Sequence, residues 1–228
     1  EVCEALREQY LPRFAGDELP ETRTGMAVAI ADKLDTIAGI YATGQKPTGT
    51  RDPFGLRRAA LGLLRIAIER RLDLDLRRLI AEAIDAARRD MAAVAAGQGK
   101  VLGVVDATAL IDEVYDYVVE RLRAYYVEGD AGIAVTTEMF DAVLATRPSS
   151  PLDFDARLRA LVEFLQLPEA QALAAANKRI ANILRKATEP VGERVDADRL
   201  VDPAEQILGE QVEAIARQVE PKFAARDY

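Results

Sequence analysis

Residues 24–42 read Thr24-Gly25-Met26-Ala27-Val28-Ala29-Ile30-Ala31-Asp32-Lys33-Leu34-Asp35-Thr36-Ile37-Ala38-Gly39-Ile40-Tyr41-Ala42. Met26, Ile30, Leu34, Ile37 and Tyr41 recur at three- and four-residue steps, the spacing of one buried helix face. A strand would show strict alternation instead. The same period recurs on either side. Val2, Leu6 and Tyr10 stand four apart, and Leu56, Ala60, Leu61, Leu64 and Ile68 form the next stripe. Leu79, Ile80, Ala83, Ile84, Ala87 and Met91 follow, then Ile111, Tyr115, Val118, Leu122 and Tyr125. The chain therefore reads as all-α, a set of helical bundle segments.

Breaks and caps divide these segments. Gly44, Pro47 and Gly49 end one helix, and Asp52-Pro53 predicts the next, with Asp as N-cap and Pro at the first helical position. Asp75 opens another. Gly97, Gly99 and Gly103 mark the best candidate domain boundary. Asp106 is expected to cap one long helix through Tyr126. After the turn Gly129-Asp130-Ala131-Gly132 a short helix is predicted near Thr137–Ala145. Pro148-Ser149-Ser150-Pro151 stops it, and Asp153 is expected to cap a helix carrying Leu158, Leu161, Val162 and Leu165. Pro168 starts a helix to about Ala187. Asp202-Pro203-Ala204-Glu205 has the spacing of a capping box. Val101–Val105 is the one strand candidate, weakened by Gly103.

Composition excludes whole classes of chemistry. The 228 residues contain no His and no Trp, and one Cys. No Ser-His-Asp or Cys-His relay and no His metal ligand can form. Cys3 alone makes neither an internal disulfide nor a cysteine zinc site, which fits a reducing cytosol. No signal-peptide pattern and no apolar run of about 20 residues is present, so no membrane span is expected. The first residue is Glu, inside a helical pattern, which leads us to expect a piece of a longer cytoplasmic protein. Gly44-Gln45-Lys46-Pro47-Thr48-Gly49-Thr50-Arg51 half resembles a phosphate loop, but Thr50 stands where the lysine belongs and no strand precedes it. Asp32 and Asp35 are two carboxylates three apart, too few ligands for a metal site. No catalytic and no metal-binding residue is assigned.

Charge carries the functional signal. Thirty basic and 38 acidic residues give −8, which argues against generic nucleic-acid binding if the charge is even. It is uneven: residues 1–105 hold 16 basic and 15 acidic groups, residues 106–228 hold 14 and 23. Within the acidic half, Asn177–Lys186 contains Lys178, Arg179, Arg185 and Lys186 and no acid. At about 100° per residue, Lys178, Asn182, Arg185 and Lys186 share one helix face, with Arg179 at its edge. Leu173, Ala176, Ile180, Ile183, Leu184 and Ala187 occupy the opposite face, which is expected to be buried. A solvated surface helix is the plainer reading, but such faces usually mix signs. The ten arginines between Arg51 and Arg89, against six acids, come largely as doublets and read as surface helices around an Ala/Leu core.

Three stretches carry a resemblance: Gln9-Tyr10-Leu11-Pro12-Arg13-Phe14-Ala15-Gly16-Asp17, Ala29-Ile30-Ala31-Asp32-Lys33-Leu34-Asp35-Thr36-Ile37-Ala38-Gly39, and Asp52-Pro53-Phe54-Gly55-Leu56-Arg57-Arg58-Ala59-Ala60-Leu61-Gly62. They resemble the β subunit of the bacterial tetrameric glycyl-tRNA synthetase. Phe154-Asp155-Ala156-Arg157 and Ala174-Ala175-Ala176-Asn177-Lys178-Arg179-Ile180-Ala181-Asn182-Ile183-Leu184 match the same subunit. The resemblance implies a layout. Residues 1–45 would be the tail of an HD-like helical domain, 46–105 a helical linking region, and 106–228 a DALR-type anticodon-binding domain, truncated at its C-terminus.

It also implies a division of labour. The α subunit would hold the main site that joins glycine to its tRNA with ATP and Mg. This chain would be a non-catalytic, tRNA-binding piece of an α2β2 enzyme, without a cofactor of its own and with no DNA or membrane partner. Lys178, Arg179, Arg185 and Lys186 would hold phosphates, and Asn177 and Asn182 would reach base edges or sugar hydroxyls. Arg157 and Arg159 would extend the patch, with Arg121, Arg123, Tyr125 and Tyr126 as a further stacking surface. The HD-type metal site needs histidines that this chain lacks; Asp32 stands at the place of its last acidic ligand and is not assigned a metal. A helical scaffold or subunit-interaction module is the alternative reading, and a remnant HD phosphohydrolase is a third that the missing histidines disfavour.

Overall fold

The computed structural model describes residues 1–47, 52–98, 106–129, 131–186 and 200–228. Among them every regular element is an α-helix, as expected. The helices are α1 (Val2–Glu8), α2 (Arg23–Ala42), α3 (Leu56–Glu69), α4 (Leu76–Gly97), α5 (Ala107–Val119), α6 (Leu122–Val127), α7 (Thr137–Ala145), α8 (Pro151–Phe164), α9 (Pro168–Lys186) and α10 (Pro203–Ala224). They fall into two compact units, residues 1–158 and 159–228, divided within α8.

In the first unit α2 is the central helix, packed by α1, α3 and α4, and α5 lies against α2, α3 and α4. The stripe read from the sequence is the one that is buried: Ile30, Leu34, Ile37 and Tyr41 face inward, with Ala29 and Ala38 beside them. Leu56, Ala60, Leu63, Leu64 and Ala67 of α3 and Leu76, Ile80, Ile84 and Ala87 of α4 complete the interior. α4 and α5, which flank residues 99–105, pack on each other. The Val101–Val105 candidate lies outside the described residues.

Four local expectations are corrected. Val2 and Leu6 of α1 and Tyr10 beyond its end are exposed, and Ala5 and Glu8 are the buried face of the helix. The reason is Glu8: its carboxylate accepts from the Glu21 N–H at 2.7 Å, the Thr22 N–H at 3.2 Å and the Thr22 hydroxyl. It thereby serves the unpaired donors at the start of α2. α3 starts at Leu56 rather than at Pro53; Gly55 takes φ +67°, and Asp52 reaches over the turn to accept from Leu56 N–H at 2.8 Å and Arg57 N–H at 2.9 Å. The long helix expected to reach Tyr126 breaks at Glu120–Arg121, where Arg121 N–H bonds to the Val118 carbonyl, and α6 follows as a separate helix. α8 begins at Pro151, so Asp153 sits inside its first turn, buried, and pairs with Arg157 at 3.1 Å.

The second unit comprises the end of α8 with α9 and α10. Asp202 caps α10 by accepting from Ala204 N–H at 2.7 Å. The apolar face of α9, expected to be buried, is exposed: Leu173, Ile180, Ile183 and Leu184 are each 48–60% accessible. The matching stripe of α10 is exposed too.

Candidate nucleic-acid interface

α9 is built to end in positive charge. Pro168 and Glu169 occupy its first turn and Arg185 and Lys186 its last, each on the side of the helix dipole that favours it. After Glu169 the helix contains no acid. The side chains of Lys178, Arg179, Asn182, Arg185 and Lys186 are exposed. Lys178, Asn182 and Lys186 follow at four-residue steps, about 6 Å apart along the axis. With Ala175, Arg179 and Ile183 they line an open depression of about 350 Å³. Among the described residues no ion pair engages any of the four cations. Such a surface is shallow and positive. It suits a polyanion that lies along it, not a small molecule that must be enclosed.

The other predicted residues divide. Asn177 adjoins the basic stripe on α9 and is exposed. Arg159 is exposed on α8. Arg157 donates to Asp153 and, at 3.3 Å, to the Thr146 hydroxyl, so its guanidinium ties α8 to the end of α7. Tyr125 and Tyr126 are buried and give no stacking surface. Tyr126 donates to Asp155 at 2.8 Å and stacks on Phe154. Burial, reinforced by Glu69, pushes the Tyr125 phenol up to about 12. Arg121 lies over the Tyr117 ring, and Arg123 lies over Phe140 while paired to Glu120 and Asp141.

Several arginines of the first unit are likewise occupied in structure. Arg65 binds Glu69, and Arg70 donates to the Leu19 and Pro20 carbonyls. Arg77 and Arg147 both reach Asp112 and both lie against the Tyr115 ring. These arginines of the first unit are tied to its own groups, while the α9 cations face outward.

No reaction centre emerges among the described residues, and no cluster of three potential metal ligands is found there. Asp32 and Asp35 are exposed, and Lys33 between them is buried, donating to the Leu11 carbonyl at 2.8 Å. Burial lowers the Lys33 pKa, partly offset by Asp32. A cavity of about 420 Å³ in the first unit carries Asp35 and Asp90 in its wall, the wrong sign for a polyanion. Sequence reasoning missed Glu8 and Lys33, because a charged residue inside a helix gives no pattern that marks it as buried.

Residues 1–145 match the family model described as "Glycyl-tRNA synthetase beta subunit". The whole chain aligns with curated relatives named glycine–tRNA ligase beta subunit. It is 50% identical over 228 residues to that of Pseudomonas aeruginosa, covering 31% of the relative. It is 48% identical to that of Tolumonas auensis, covering 30%, and 46% identical over 248 aligned residues to that of Haemophilus influenzae, covering 34%. The chain thus spans about a third of the length of these relatives. α9 lies beyond the stretch matched by the family model but inside the alignment with the relatives.

Proposed function

Because the chain belongs to the glycyl-tRNA synthetase beta-subunit family, we propose that it supplies a tRNA-holding surface to glycine–tRNA ligase, not the chemistry of that enzyme. In this reading the glycine- and ATP-dependent step, with its Mg, belongs to the α subunit of an α2β2 assembly. Residues 106–228 form an anticodon-binding module behind the tail of an HD-like domain and a helical linking region. The protein works in the cytoplasm.

The observation that carries the reading is the acid-free face of α9. Lys178, Arg179, Arg185 and Lys186 neutralise phosphates and release their counterions. Asn177 and Asn182 offer both a donor and an acceptor to a 2′-hydroxyl or a base edge, which cations alone do not. Arg159 extends the positive surface, and Arg157 contributes by holding α8 to α7.

The test is the affinity of the 228-residue chain for glycine tRNA, beside a variant with Lys178, Arg179, Arg185 and Lys186 changed to Ala. Loss of several phosphate contacts should weaken binding by about tenfold or more at low salt and flatten the salt dependence. Alanine is the strongest helix former, so helix content should not fall. Equal affinity and equal salt slope for the two proteins would remove α9 from RNA binding. The exposed apolar stripes of α9 and α10 favour a second reading, a helical subunit-interaction module. It predicts no retention of RNA at low salt together with a stable protein complex.

A further inference from the structure

Gly25, Gly39 and Gly62 lie inside helices of the first unit, and two of them have a reason within the chain. A Cβ at Gly25 would stand 1.8 Å from a Glu8 carboxylate oxygen, and one at Gly62 would stand 2.9 Å from Lys33 Cε and 3.2 Å from Pro12 Cγ. Gly39 of α2 is different: a Cβ there meets nothing within 4 Å. Glycine weakens a helix relative to alanine, and one use that offsets this is to let a ligand approach the backbone closely. The free space at Gly39 belongs to the cavity of about 420 Å³ between α2 and α4, a volume within the range of ligand sites.

The walls of that cavity define the chemistry it can hold. Asp35 stands one turn before Gly39, and Asp90 comes from α4. Neither carboxylate has an ion-pair or hydrogen-bond partner among the described residues. No Lys or Arg stands three or four positions from either, so neither is served within its own helix. The Thr36 and Thr43 hydroxyls already donate to the Asp32 and Ile40 carbonyls, at 2.9 and 2.8 Å. That leaves the two carboxylates and the Gln45 amide, a negative set. Phe54, 45% exposed, and Met91 add apolar surface beside them. Carboxylates next to an aromatic face and an aliphatic wall match a guanidinium or ammonium group on an apolar stem.

We infer that this cavity receives a basic side chain, arginine or lysine, of a partner protein. Asp35, Gln45, Phe54 and Asp90 are exposed, so the chain does not itself cover what it holds there. A free small molecule needs most of its surface enclosed, whereas a side chain arrives with the cover of its own protein. The site is separate from the α9 surface and opposite to it in charge, so the inference does not rest on RNA binding.

The test uses the three methionines of the 228-residue chain, labelled with 13C at their methyl groups. Met91 lines the cavity, and Met26 and Met139 do not, so they serve as controls. The probe is N-acetyl-arginine methylamide, titrated at constant ionic strength. It should move the Met91 signal alone, saturating with a Kd of about a millimolar, as suits a single side chain. The citrulline analogue has the same shape without the charge and should bind about tenfold more weakly or worse. Asp35→Asn with Asp90→Asn should weaken the arginine probe by a similar factor. Gly39→Leu should do so too, by filling the space, with the Met26 and Met139 signals in place. A Met91 signal unmoved at about 50 mM probe, well beyond that Kd, would overturn the inference. So would equal movement of all three signals, an equal response to citrulline, or undiminished binding to Gly39→Leu. Propylguanidine, which lacks the peptide part, should bind within about threefold of the arginine probe; binding about tenfold tighter would assign the cavity to a free small cation and overturn the protein source.

Discussion

Glu8 shows how a single side chain determines which face of a helix is buried. The apolar spacing of Val2, Leu6 and Tyr10 points one way, and the molecule turns α1 the other way so that the Glu8 carboxylate reaches the start of α2. Burial alone would raise the pKa of that carboxyl. Hydrogen bonds from the Thr22 hydroxyl and from the Glu21 and Thr22 N–H groups outweigh it and hold the group below its ordinary value of 4.5. A lowered folded pKa means that the contribution is fully present above 4.5 and is lost as pH falls below it. Glu8→Gln should therefore lower stability at pH 7 by about 1–3 kcal/mol and flatten the decline of Tm between pH 5 and about pH 3. Denaturant titrations at both pH values check this. Gly25 belongs to the same cap. A Cβ there would stand 1.8 Å from the Glu8 carboxylate oxygen and 2.7 Å from its Cβ. Gly25→Ala, which gains about 1 kcal/mol in an open helix, should instead destabilise, as read by the urea midpoint.

At the scale of elements, period and punctuation were legible and tertiary choices were not. The spacing in residues 24–42 predicts α2 almost to its ends, and Asp75, Asp106, Pro168 and Asp202 mark the starts of real helices. The start of α3 was missed because Asp52 acts across a turn rather than from the N-cap position. The α5–α6 break was missed because Val118–Tyr126 contains no Gly or Pro to announce it. That break brings Tyr126 inward, where its hydroxyl meets Asp155. Phe has the same shape without the hydroxyl. Tyr126→Phe should therefore cost about 1–2 kcal/mol by leaving a buried acceptor short of a donor, while affinity for glycine tRNA stays unchanged. Thermal unfolding and RNA binding on one preparation check both halves. The basic stripe of α9 was fully legible, since charge sign and 100° geometry are sequence properties. The exposure of its apolar face was not, since that depends on what packs beside it.

Across the whole molecule, net charge is a poor guide to what the surface binds. A chain at −8 keeps its cations in two different employments. In the first unit arginines bridge acids, carbonyls and rings between helices, and in the second the α9 cations project from a face without a carboxylate. Lysine accessibility separates the two directly. Amine-reactive footprinting of the chain, with and without glycine tRNA, reports on Lys178 and Lys186 of α9, on Lys222 of α10 and on Lys46, which pairs with Glu113. The account predicts that the RNA shields Lys178 and Lys186 and leaves Lys222 and Lys46 as reactive as before. Shielding of Lys222 or Lys46 with Lys178 and Lys186 unchanged would contradict it.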